Sequence, residues 1–237
     1  MSVDVRLGEV LTKWVAPPRP NAPVLAGQYA RLERLDAAHH ADELYQANVL
    51  DDSVWDYMAH GPFLSAKAYS GWARVAAAGN DPHYYAIKNL ETGQFEGVAS
   101  YLRIKPEMGV IEVGSIVFTP PLQRTRAATD AMFLMMQWAF DAGYRRYEWK
   151  CDSQNMASRR AAQRLGFSYE GIFRQHMVIK GRNRDTAWFA VIDSDWPALK
   201  AAYETWLAPE NFDANGQQRN SLSDLTRPLR SVNDPDL

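Results

Sequence analysis

Two stretches of this chain hold groups of the kind that grip phosphate. Gln123-Arg124-Thr125-Arg126-Ala127-Ala128 follows an apolar run and leads into Thr129-Asp130-Ala131; about thirty residues later Asn155-Met156-Ala157-Ser158 opens a second helical pattern ending at Leu165-Gly166-Phe167. The first turn of a helix offers unpaired N–H groups and the positive end of the helix dipole, so a pyrophosphate set there receives several hydrogen bonds at once. Arg124 and Arg126 would add charge to that grip. Each stretch also has a plainer reading: a basic, solvated helix start for the first, and for the second an N-cap by Asn155 or Ser158 with Gly166 closing the C-terminus. A third feature is Glu112, a carboxylate inside Val110-Ile111-Glu112-Val113-Gly114-Ser115-Ile116. In so apolar a strand the acid must face either solvent or a cleft.

The elements that would position these groups follow from apolar periodicity. Residues 29–35 alternate as a strand, and Asp36 is placed to cap a helix over residues 37–48. Residues 50–64 are turn-rich and carry Trp55, Tyr57 and Phe63 beside Gly61-Pro62, before Ser65 caps a helix reaching residue 78. Residues 84–89, 97–104 and 110–119 read as an antiparallel meander. Ala128, Met132, Met135, Met136, Ala139 and Phe140 recur at helical spacing, which predicts a helix over residues 123–142 closed by Gly143. Residues 147–152 form the next strand and 155–165 the next helix; residues 173–179 and 187–193 make a hairpin, and Asp195-Trp196-Pro197 begins a last helix to residue 207. The prolines between Pro17 and Pro23 mark residues 1–24 as an extended arm. One continuous pattern over residues 25–207 implies a single domain, and beyond it periodicity fades, so 208–237 is expected as a tail.

With 237 residues, 46% hydrophobic and 23% charged, the chain can bury a sizeable core. A formal net charge of −2 removes the broad cationic surface that captures nucleic acid, so no nucleic-acid partner is expected. The one cysteine, Cys151, has no intrachain partner, and no Cys/His clusters show zinc spacing, so no metal is expected and a reducing cytoplasm fits. Neither a signal segment nor a run of ~18 apolar residues occurs, and no membrane role is expected.

The order of apolar strand, phosphate-type turn, long helix, strand, short capped helix and hairpin resembles the GCN5-related N-acetyltransferases (GNAT). That family's Gln/Arg-x-x-Gly-x-Gly/Ala pattern is matched at Gln123 and Ala128, with Arg126 where the middle glycine is usual. Thr129-Asp130-Ala131 resembles the Thr-Glu-Ala of the branch related to ribosomal-protein N-terminal (alanine/serine) acetyltransferases, and Asn155 to Ser158 is similar to the family's Asn-x-x-Ser. The resemblance spans residues 29–193. It implies an α/β (α+β) fold, a mixed, largely antiparallel sheet with helices on both faces and a splay between the fourth and fifth strands, opening at Val117 and Tyr147. It implies acetyl-CoA as co-substrate. The backbone of Ile116, Val117 and Phe118 would bond the pantetheine amides; Gln123, Arg124, Thr125, Arg126, Ala127, Ala128 and Thr129 would cradle the pyrophosphate; Asn155 would lie near the pantetheine arm and Ser158 near the sulfur. Because Arg126 carries a Cβ, the turn must already be helical there or the phosphate sits further out.

The implied reaction is direct attack in a ternary complex by a primary amine, either a small molecule or a peptide N-terminus. Family members use an acid on this strand as base, which points to Glu112. A lysine-like amine, of pKa ~10.4, is protonated about a thousandfold near pH 7, a cost of ~4 kcal/mol before attack. Ser158 would protonate or hydrogen-bond the departing thiolate, and a backbone donor of the fourth strand would stabilise the oxyanion. Trp55, Tyr57 and Phe63, with Asp51, Asp52 and Asp56, lie where the family forms one wall of the acceptor cleft, and aromatic faces and carboxylates suit a cationic amine. They equally fit a surface loop anchored by its aromatics. The branch's carboxylate on the first strand of the last hairpin is missing from Arg174-Gln175-His176-Met177, which leaves His176 on the substrate side, or as a structural strand histidine. Cys151, beside Trp149, reads as a buried thiol rather than an acetyl carrier. The basic turn at residues 180–185 is open between a hairpin tip and a lip on substrate or a partner subunit, which leaves a homodimer open. Two other classes remain alongside the enzyme: a noncatalytic acyl-CoA-binding sensor, and an interaction module using the aromatic loop.

Overall fold

Alternation along the strands sorts the apolar side chains onto two faces of one sheet. In β3 (His83–Asn89) Tyr84 and Ala86 turn to one core while Tyr85 and Ile87 turn to the other. The computed structural model describes residues 7–237. Its sheet has eight strands, β1 (Val24–Ala26), β2 (Ala30–Arg34), β3, β4 (Phe95–Lys105), β5 (Val110–Phe118), β6 (Arg146–Asp152), β7 (Ser168–Ile179) and β8 (Arg182–Ile192), in the order β1-β2-β3-β4-β5-β6-β8-β7. All neighbours are antiparallel except β5 and β6. The mixed, largely antiparallel sheet is the one expected. Because short β1 precedes the first expected strand, the fourth and fifth of the sequence pattern are β5 and β6.

Helices α1 (Ala37–Asn48) and α2 (Ala66–Ala78) cover the face carrying Leu35, Tyr84 and Val98; α3 (Arg126–Asp141), α4 (Met156–Arg164) and α5 (Trp196–Leu207) cover the other. Asp36 caps α1 by accepting from the Ala38 amide, and Ser65 caps α2 by accepting from Ala68. Helix α3 begins at Arg126 rather than Gln123: Arg124 stands at φ 61°, outside the helix, and Thr125 is the N-cap, its Oγ1 accepting the Ala128 amide at 3.1 Å. The first turn of α3 is locked to the sheet by Asp130, whose Oδ2 accepts the amides of Tyr29 (2.7 Å) and Ala30 (2.9 Å) at the start of β2.

Strands β5 and β6 pair from Val110↔Arg146 to Val113↔Trp149 and then part. The opening therefore falls beyond Tyr147, which still pairs with Ile111, and before Val117. Its cause lies on β5. Between Val98↔Val117 and Ser100↔Gly114 that strand has one residue more than β4, and Ser115 takes φ 49°. Such a bulge bends the strand that carries it and increases its twist.

Both chain ends pack on this frame. Residues 1–6 of the expected arm lie outside the described residues. After them Pro17 and Pro20 are buried, Tyr144 donates its hydroxyl to the Pro18 carbonyl (3.0 Å) and Tyr85 to that of Ala22 (2.8 Å). Residues 208–237, expected as a tail, form α6 (Leu222–Thr226) and run back along α4: Leu222 is fully buried, Thr226 donates to the Arg164 carbonyl, and Asp234 pairs with Arg159 at 2.5 Å. Among the described residues no helix is long and apolar enough to cross a membrane.

Removing one partner of a buried ion pair strands the other charge, a loss of about 3–5 kcal/mol. Arg159 keeps the half-exposed Asp236 as a second partner, so Asp234→Ala is expected at the low end, about 3 kcal/mol by urea denaturation. Arg159→Met combined with Asp234→Ala should lose less than the two single changes added together. A loss under about 1 kcal/mol for Asp234→Ala would mean that the C-terminal segment carries little of the fold.

Candidate active site

Where β5 and β6 separate, two cavities meet at Trp149, which lines both. The larger, of about 610 Å³, is bounded by the first turn of α3, one side of α4 and the C-terminal segment at Trp206, Phe212 and residues 216–218. Thr125 caps the Ala128 amide, but those of Arg126 and Ala127 have no acceptor among the described residues, as expected of a helix start. Arg124, Thr125, Arg126, Ala128 and Thr129 line this cavity. Gln123 instead donates Nε2 to the Phe118 carbonyl at 2.9 Å, and the Ala127 side chain is buried, so Ala127 offers its amide alone. Arg126 is already helical, which answers the missing glycine. Its guanidinium lies over the rings of Tyr29 (4.6 Å) and Phe212 (5.0 Å), with Glu91 at 3.8 Å.

One basic group here had no signal in sequence. Arg164 on α4 donates to Thr129 Oγ1 at 3.1 Å, lies over Trp206, and has no carboxylate partner among the described residues. Burial pushes its guanidinium below the ordinary arginine value. A half-buried cation without a counter-ion, beside an open helix start, calls for an anion. The open amides, Arg124 and Arg164 together suit the phosphates of a nucleotide-bearing cofactor such as acetyl-CoA.

The smaller cavity, of about 260 Å³, is lined by Glu112, Ile116, Asn155, Ser158 and Tyr57, by Arg184 of the basic turn, and by His60, Arg103 and Lys150, which sequence reading passed over. Ile116 faces this side and Phe118 the cofactor side, while the Val117 side chain is buried against α1 and α2, leaving its backbone on the opened edge. Trp55 and Phe63 do not line it. Trp55, 1% exposed, packs with Phe63, Tyr69 and Trp72 in the second core, because a turn-rich loop without apolar periodicity holds its place by burying its aromatics. Tyr57 does reach the cavity and donates its hydroxyl to the Gln154 carbonyl (3.3 Å). His176 stands outside, on the bulged part of β7, its Nδ1 2.9 Å from Thr186 Oγ1.

Glu112 is 3% exposed and held by two cations. Arg103 Nη1 donates to its two oxygens at 2.7 and 2.8 Å, and Lys150 Nζ lies 2.9 Å away. Burial pushes its carboxyl up, outweighing Lys150 and Arg103, which pull it down. The charges continue: Lys150 also meets Glu148 at 2.8 Å, Glu148 meets Arg146 at 2.7 Å, and Arg146 meets Glu170 at 2.5 Å. Arg103 reaches Glu112 because β4 carries an extra residue there, with Arg103 at φ 48°. Gly114 keeps the space open, since a Cβ would lie 2.9 Å from a Leu102 methyl and 3.3 Å from Glu112 Oε1.

Asn155 caps α4 through the Ser158 amide (3.0 Å), which sets Ser158 at the mouth between the cavities. Ser158 Oγ accepts from Trp149 Nε1 at 3.1 Å, so its own proton is left to donate. Beside it the Cys151 thiol is buried and pushed up to about 11, an inert group at neutral pH. Among the described residues no group of three His, Cys, Asp or Glu is placed to hold a metal ion.

A family model described as an acetyltransferase (GNAT) domain matches residues 30–168. A GCN5-related N-acetyltransferase from Brucella melitensis is 47% identical, covering 92% of this chain and 100% of that one with a TM-score of 0.90. A probable acetyltransferase (GNAT family) from Chromobacterium violaceum is 37% identical, covering 84% and 100%, with a TM-score of 0.77. RimL, a ribosomal α-N-protein acetyltransferase, shares the fold at 21% identity, covering 71% and 93%, with a TM-score of 0.61. No curated protein matches the sequence.

If Arg164 waits for an anion, Arg164→Met should weaken acetyl-CoA binding by ~10-fold or more in titration calorimetry. The thermal midpoint without ligand should hold or rise, because an unpaired, half-buried cation is itself costly. A lowered midpoint with unchanged affinity would make Arg164 structural.

Proposed function

The chain belongs to the GNAT family of acetyltransferases, and from that premise we propose that it transfers the acetyl group of acetyl-CoA to a primary amine by direct attack within a ternary complex. The observation that carries the reading is the junction at Trp149, where a cleft suited to phosphates meets a cleft holding Glu112 and Ser158. The backbone of Ile116, Val117 and Phe118, on the edge that β6 leaves unpaired, takes the amides of the pantetheine arm. Thr125 to Thr129, Arg124 and Arg164 take the phosphates. Acetyl-CoA supplies an activated thioester carbonyl.

Glu112 removes the proton from the amine, directly or through water. Arg103 and Lys150 keep it ionised, while burial raises its affinity for a proton above that of an ordinary carboxylate. Both properties are wanted in a base working near neutral pH. Ser158 directs its proton toward the sulfur, and Tyr57 with His60 lines the acceptor side. Burial holds the His60 imidazole below its ordinary value, and its Nε2 has no hydrogen-bond partner among the described residues. It therefore stands neutral near pH 7 and adds no charge to the cavity wall.

Acetyl-CoA turnover, followed by thiol release over small amines and N-terminal peptides, tests these roles. Glu112→Gln is expected to lower kcat by ~10²–10⁴ and leave acetyl-CoA affinity nearly unchanged. Ser158→Ala should cost ~10-fold. The wild-type rate should climb with pH through a pKa above the ordinary carboxylate value, since the base acts only when ionised and its pKa is raised. Unchanged rates in both variants would sink the assignment. Acetyl-CoA binding with no turnover of any amine would mark a noncatalytic acyl-CoA-binding module instead.

A further inference from the structure

The acidic residues of the aromatic loop do not reach the acceptor cleft. Asp51 caps its own turn, accepting the Ser53 amide at 2.9 Å, and neither Asp52 nor Asp56 lines the cavity. The charged side chains that do are Arg103, Lys150 and Arg184, against Glu112 and Asp152. Glu112 is saturated by Arg103 and Lys150, and Asp152 accepts the Gln154 amide at 2.9 Å. Arg184 is different. Its Nε donates to Thr186 Oγ1 at 3.1 Å, and its guanidinium has no carboxylate partner among the described residues. Arg103, though bound to Glu112, leaves 44% of its side chain exposed. Burial first, and then Arg184, Arg103 and Lys150, hold the nearby His176 imidazole below its ordinary value.

An amine carrying only positive charge would meet net repulsion in such a field, whereas a carboxylate or phosphate is drawn to the free fork of Arg184. The cavity is also small. Lys180 at the hairpin tip donates to the Trp55 carbonyl at 2.9 Å, and Tyr57 is tied to Gln154 in the turn before α4, so two contacts hold the loop beside a cavity of about 260 Å³. We propose that the acceptor is a small amine that also bears an anionic group, carboxylate or phosphate, held by Arg184 with the exposed end of Arg103. This rests on the acetyl-transfer reading above. One field then serves twice, because neighbouring positive charge also favours the neutral, nucleophilic form of the amine.

The experiment compares acetyl-CoA turnover within pairs of amines that differ only in the anion: an amino acid against its amide, and an amino sugar against its phosphate. Wild type, Arg184→Gln and Arg184→Lys are measured together, with acetyl-CoA affinity by calorimetry as a control. The anionic member should be preferred by ~10-fold or more in kcat/KM, the pair with the larger preference naming the anion. Arg184→Gln should erase the preference mainly through KM, Arg184→Lys should keep part of it, and acetyl-CoA affinity should stay the same. Equal or better use of the neutral members, or a preference that survives Arg184→Gln, overturns the inference and leaves acetyl transfer standing. Acetyl-CoA binding without turnover of any amine removes both.

Discussion

Strands β5 and β6 run parallel, and after Val113 and Trp149 they stop sharing hydrogen bonds. Backbone N–H and C=O groups in a protein interior need partners, so the edge left open beyond Val113 calls for a ligand that brings amide groups of its own. The two cavities exist because the strands diverge, and the bulge at Ser115 is what bends β5 away. Helix α3 follows β5 after a short turn, so the same divergence that opens the edge also aims the helix start into the gap. Asp130, gripping the amides of Tyr29 and Ala30, holds that helix start in place.

The price of pairing β5 with β6 in this register is that Glu112 lies directly beside Glu148. Two carboxylates in that relation repel one another. Lys150 lies between them, and the alternation extends through Arg103, Glu112, Lys150, Glu148, Arg146 and Glu170 across β4, β5, β6 and β7. Lys150 also stands over the Trp188 ring at 3.7 Å, so β8 supports the same ammonium. Within such a network a buried carboxylate stays charged while its proton affinity rises. The left-handed residues Arg103 and Ser115 sit at strand irregularities and line the smaller cavity, where the local backbone re-aims their side chains.

The opposite cavity owes its far wall to the C-terminal segment. Phe212 receives Arg126, Trp206 receives Arg164, and Gln218 accepts from the Trp206 indole at 2.8 Å. In sequence Asn, Gln, Ser, Pro and Asp dominate residues 208–237, without a period. It is held by single contacts such as Asp234 with Arg159 and Ser168 with the Ser231 amide, and contacts of that kind leave no repeating trace in a linear pattern.

Periodicity and capping chemistry were enough to place the meander, α1 with its Asp36 cap, the long helix of methionines to within three residues of its start, and the helix mouth at Asn155. Each of these depends on residues within a turn or two of one another, where local sterics and hydrogen bonding decide the outcome. Glu112, Ser158 and the Gln123–Thr129 turn were named through the resemblance of their local motifs to the GNAT family. Trp55 was named as a cleft wall and is core, because an aromatic in a loop has no period to reveal which way it faces. Arg103, Lys150 and Arg164 became part of a site only through register, bulges and helix packing, and Arg184, in a turn that the sequence left open between hairpin tip and substrate lip, was placed at the cavity by strand pairing. Which charges lie unpaired, and therefore what the clefts attract, depends on contacts between residues far apart in the chain, and those are set by the packing of strands and helices rather than by any local run of sequence.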